Sequence, residues 1–122
     1  MNRKRFERLV AEALDSLPQE FHEWMENVDV VIETWPSRET VRRMGLRRGE
    51  TLMGLYEGIP LTKRTSRYGQ VLPDRITIYQ GPIEAGCRGA DEVRHKVRQV
   101  VMHELGHHFG ISDERLRELG AY

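Results

Sequence analysis

DEVRHKVRQVVMHELGHHFGISD, residues 91–113, reads as a single helix that carries a metal site and then reverses direction. His103 and His107 are four apart, about 40° of rotation on an α-helix, so both imidazoles leave one face a turn apart and can converge on one ion. Glu104 lies about 100° round from His103. Its carboxylate therefore falls beside the ion rather than on it, where it can take a proton from water. Gly110 allows the positive φ of a helix C-cap, and the reversed chain brings Asp113 back toward the histidines as a third ligand. The signature is HExxHxxGxxD, and with Asp, Glu or His accepted at its last position chance would produce it roughly 0.0004 times in a chain of this composition.

Two imidazoles and one carboxylate suit Zn²⁺, and three protein ligands leave a fourth position open, as catalytic zinc sites do. Zinc so held brings the pKa of a water down to about 7. Glu104 is placed to accept that water's proton and pass it to the leaving amine of a cleaved peptide. Structural zinc sites are closed and rich in cysteine, whereas this chain has one cysteine, Cys87, read as a small, partly buried core thiol. His108 lies about 140° from His103, off the ligand face, which suits packing or a supporting hydrogen bond. His22 and His95 read as exposed helix residues, and Met102 and Leu105 as packing residues. Tyr56, Tyr68 and Tyr79 are weaker candidates for a phenol that stabilises an oxyanion.

Working outward, 122 residues at 39% hydrophobic make one domain, 1–122, with one core. Nineteen basic and 19 acidic residues cancel, so no overall field favours nucleic acid or an anionic membrane. Arg42, Arg43, Arg47 and Arg48 form the one local basic cluster, which reads as a solvated turn. A single cysteine points to a reducing compartment, and no stretch approaches the roughly 18 apolar residues of a membrane span. The expectation is a cytoplasmic monomer whose partner is a peptide or protein substrate.

Ahead of the metal helix, Phe6, Leu9, Val10, Ala13, Leu14 and Leu17 recur at helical spacing. Pro18 suits the start of a second short helix with Phe21, Trp24 and Met25 on its apolar face. Residues 28–35 alternate and are β-branched, a strand stopped by Pro36. Ser37 caps a short helix through Met44, and Gly45 and Gly49 mark turns. Residues 52–56 and 75–79 are two more strands, the second ended by Gly81-Pro82. Between them, residues 61–71 form a polar loop expected to be functional. Asp91 is the expected N-cap of the metal helix, whose Val93, Val97, Val100 and Val101 face the core, and Ser112 caps a last helix through Leu119. These elements make an α+β domain in which three short strands share one sheet against the metal helix.

TLMGLYEGIPLT at 51–62, VLPDRITIYQGPIE at 71–84 and HELGHHFGISDERL at 103–116 together resemble the small bacterial family of zincin-like metallopeptidases. The resemblance implies a minimal zincin-like fold, a short sheet packed on the HExxH helix. It also implies one zinc ion on His103, His107 and Asp113, with Glu104 as the base, and a peptidase of unspecified substrate. Residues 52–56 would be the sheet edge that borders the cleft and receives substrate as an added strand, with Gly54 permitting close backbone approach. The extended signature is similar to that of the metzincins, most of which have His in place of Asp113. No Met follows Asp113, so their methionine turn is absent. Two other classes stay open: a non-catalytic binding or regulatory protein stapled by zinc, and a nucleic-acid binder resting on the arginine cluster.

Overall fold

The computed structural model describes residues 1–58 and 72–121; the expected functional loop at 61–71, with Tyr68, lies outside the described residues. In chain order the elements are α1 (Arg3–Asp15), α2 (Gln19–Trp24), β1 (Val28–Glu33), α3 (Arg38–Arg43), β2 (Gly54–Glu57), β3 (Asp74–Tyr79), α4 (Gln80–Ala85), α5 (Ala90–His108) and α6 (Asp113–Glu118).

The three strands form one mixed sheet in the order β1-β3-β2. β3 pairs parallel with β1, from Val28↔Asp74 to Glu33↔Tyr79, and antiparallel with β2, from Gly54↔Ile78 to Glu57↔Arg75. Flanked on both sides, β3 is buried at every residue but Arg75, as its β-branched run suits. β2 is an edge among the described strands. The fold is α+β, with the sheet packed on α5 as the sequence leads one to expect.

Periodicity explains the core. Phe6, Leu9, Val10 and Ala13 of α1 are buried together with Val93, Val97 and Val101 of α5 and with Ile76 and Ile78 of β3. Each of these side chains larger than Ala13 contributes about 1.5–3 kcal/mol by leaving water, so α1 and the sheet together clamp α5 along its valine stripe. The clamp holds the helix as the rigid base on which the site is built.

Two local readings are corrected and one helix is added. α5 starts at Ala90 with Gly89 as N-cap and no side-chain cap, while Asp91 sits in the first turn and pairs with Arg94 at 2.7 Å. The edge strand starts at Gly54 rather than residue 52. The central strand ends at Tyr79, ahead of Gly81-Pro82 as read, and the pair then lies in the first turn of the unforeseen helix α4, because proline fits a first helical turn where its missing N–H has no partner to lose. The Ser37 and Ser112 caps are present, accepting from the Thr40 and Arg115 amides at 3.1 Å each.

Candidate metal centre and active site

The helix–turn–helix that carries the motif is locked by its own backbone. Gly110 adopts φ 72°, its amide donates to the His107 carbonyl, and the Ile111 amide donates to the Gly106 carbonyl at 2.7 Å. These two bonds are the Schellman pattern of a left-handed C-cap. Directly beneath, Gly106 leaves room for Leu116 of α6, whose Cδ2 would lie 2.7 Å from any β-carbon there. The missing side chain lets α6 close on α5. Ser112 then caps α6 and sets Asp113 at its first position.

The turn brings Asp113 Oδ1 to 3.7 Å from His107 Nε2, with both side chains mostly exposed. The rings of His103 and His107 lie edge to face with centroids 5.8 Å apart. Two imidazoles on one tetrahedral zinc would have centroids roughly 5 Å apart, given Zn–N distances near 2 Å. The donors thus fit zinc in kind and in placement along the helix. Among the described residues, however, no three His, Cys, Asp or Glu side chains already converge closely enough to hold an ion. His103 is partly buried. Desolvation lowers its pKa, and the nearby His107 lowers it further, which favours the neutral imidazole that a metal requires; a hydrogen bond to the Ala121 backbone opposes both.

Glu104 points elsewhere. Its Oε1 accepts the Tyr56 amide of β2 at 2.9 Å. Burial raises its pKa above the ordinary glutamate value, against the lowering effects of that amide and of His107. Tyr79 N donates to Met53 O, so the alternate β2 amides, those of Gly54 and Tyr56, turn away from β3 toward the free edge. One of these two is already used by Glu104. Gly54 does permit a close approach, but the neighbour is α5: a β-carbon at this position would lie 2.4 Å from Val100 Cγ1. Between strand and helix runs a cleft of about 540 Å³, lined in part by Leu52, Met53, Gly54, Val100, His103 and Glu104.

Tyr56 has a role the sequence does not show. Its ring stacks on His108 at a centroid distance of 4.0 Å, and its hydroxyl donates to Asp74 Oδ2 at 2.6 Å. His108 Nε2 lies 3.6 Å from the same oxygen. Through its amide and ring Tyr56 pins the edge strand to the C-terminal half of α5, and through its hydroxyl to Asp74 of β3. The phenol is thus committed to Asp74, and Tyr79, 2% exposed, is a core residue. Asp74, which reads as a turn residue beside Pro73, is the buried hub of this cluster; no periodicity marks it. His108 supports, as its helical angle implies. Cys87 is partly buried with its pKa raised, first by burial and then by Glu92. In the arginine cluster, Arg43 pairs with Glu57 at 3.1 Å.

The chain belongs to the zincin-like metallopeptidases, the family that matches residues 25–121. Among solved structures it is similar to a conserved hypothetical protein from T. thermophilus, with 23% identity and a TM-score of 0.56 over 96% of this chain and 98% of the other. At that identity the likeness is one of fold. No curated protein matches. No helix among the described residues is long and apolar enough to cross a membrane.

Proposed function

We propose that the protein is a zinc-dependent peptidase in which His103, His107 and Asp113 hold one zinc ion and Glu104 is the general base. The observation that carries the reading is the fixed placement of Glu104. Its carboxylate is held by a strand-edge amide at 2.9 Å, one residue from the first histidine, on the wall of the cleft. Zinc, when bound, supplies the Lewis acidity that polarises a carbonyl and acidifies water. Glu104 keeps Oε1 on the Tyr56 amide and has Oε2 to accept the water proton, which it returns to the leaving amine. The outward backbone groups of Gly54 and the apolar wall of Leu52, Met53 and Val100 orient an extended peptide beside it. The exposure of His107 and Asp113 favours this reading over a zinc staple, whose ligands would be enclosed by the fold.

The test compares Glu104→Gln and Asp113→Ala with the wild type for zinc stoichiometry, melting temperature and cleavage of a mixed peptide library. Glu104→Gln keeps zinc and stability while cleavage falls by on the order of 10²-fold. Asp113→Ala loses zinc affinity and melts lower, and added zinc partly restores it. Equal cleavage by wild type and Glu104→Gln would remove the catalytic role. Zinc lost from Glu104→Gln but kept by Asp113→Ala would show the two carboxylates in exchanged roles.

A further inference from the structure

The cleft that ends at His103 and Glu104 has a second end. Near Gly54 the strand lies flush on Val100, while the cleft also takes in Thr51, Leu52 and Met53 ahead of it, and α5 offers Gln99 and Lys96 to its wall. Glu104 is the one acid among the described lining residues, and it stands at the opposite end. Among the described residues the half-buried Lys96 ammonium makes no ion pair or hydrogen bond. Glu92, one turn back, is drawn to the helix start, where its Oε2 accepts the Arg88 amide at 3.3 Å. Among those residues Lys96 is therefore a cation without a partner on the wall of an otherwise largely apolar groove, and it also borders a neighbouring hollow with Cys87, Asp91 and Glu92.

We propose that Lys96 sets specificity: the cleft takes an extended peptide that carries an acidic side chain about three residues from the bond cleaved, and that carboxylate pairs with the Lys96 ammonium. The spacing follows from geometry. Seven helical residues separate Lys96 from His103, about 10 Å, and an extended peptide covers about 3.3 Å per residue. Between the two ends, Leu52, Met53 and Val100 suit apolar side chains, so the substrate class is an apolar stretch with one acid at that offset. The proposal rests on the peptidase reading above, for which it names the substrate.

The experiment measures binding of fluorescent, C-terminally amidated peptides to full-length Glu104→Gln protein with zinc added, and cleavage of the same peptides by the wild type. Each peptide carries Glu, Gln or Lys three residues from its centre on one side or the other, and one Gln peptide has a free C-terminal carboxylate. Glu should bind roughly fivefold more tightly than Gln, the scale of a half-exposed ion pair of about 1 kcal/mol. The preference should be confined to one side and weaken with salt. It should vanish in Lys96→Met and turn toward the Lys peptide in Lys96→Glu. Equal binding of Glu and Gln peptides, or a preference that survives in Lys96→Met, overturns the proposal. So does a preference for the free carboxylate alone, which would make Lys96 a reader of chain ends. A Lys96-dependent preference for peptides that the wild type leaves intact would sustain the specificity and defeat the catalytic reading.

Discussion

Tyr56 joins three parts of the site through three different atoms, and the contacts are separable by substitution. Tyr56→Phe removes the 2.6 Å hydrogen bond to Asp74 but keeps the ring on His108 and the amide on Glu104. A hydrogen bond to a buried carboxylate contributes about 1.5–3 kcal/mol, and a stacked pair about 0.5–1.5 kcal/mol more. Urea unfolding should therefore rank wild type above Tyr56→Phe and Tyr56→Phe above Tyr56→Leu. If Tyr56 positions the base, both variants lower kcat more than they raise KM, because the loosened strand blurs the place of Glu104 without closing the cleft. A loss confined to KM would make Tyr56 part of the peptide-binding wall instead.

At the scale of elements, the decisive packing is that of α6 on α5, since it sets where Asp113 lies. Gly106→Ala would place a β-carbon 2.7 Å from Leu116 Cδ2 in a site with no exposed space. Overpacking of this kind costs about 1–3 kcal/mol, and the strain is relieved most directly by moving α6, whose first residue is Asp113. Zinc titration should show weaker binding in Gly106→Ala, while Gly106→Ala combined with Leu116→Val should recover part of it. Unchanged zinc affinity in the single variant would mean that α6 does not set the third ligand. The same elements show what a sequence can disclose. The valine stripe of α5, the Gly110 reversal and the serine caps are local, so spacing and turn chemistry reveal them. Gly106 reads as an ordinary helix residue, and Asp74 as a turn residue, because their roles are defined by Leu116 and by Tyr56 and His108, which lie far along the chain. Gly81-Pro82 discloses the end of the central strand but not the helix that follows at once, which is held by the packing of the buried Pro82 and Ile83.

For the whole molecule, balanced charge means that no net repulsion strains the fold near neutrality, and among the described residues two protected groups contribute to the response to alkali. Cys87 has its thiol pKa raised above 9.0, first by burial and then by Glu92. Tyr79, buried at the end of the central strand, has its phenol pKa raised above 10.0, by burial first and then by Glu33 and Glu57. In both cases the charged form is disfavoured in the folded state, so as pH rises past 9.0, and then past 10.0, the unfolded chain releases these protons first. Over that window the folded state holds more protons than the unfolded one, and the free energy of unfolding must fall as pH rises. The expected outcome in denaturant titrations is constant stability from neutrality to about pH 8, with a decline that begins near the unfolded thiol's pKa and steepens near that of the phenol. Cys87→Ser should delay the onset, and Tyr79→Phe should flatten the later part. A decline of equal slope in the wild type and in Tyr79→Phe would show that the central strand carries no part of the alkaline response, and would move its origin to the surface.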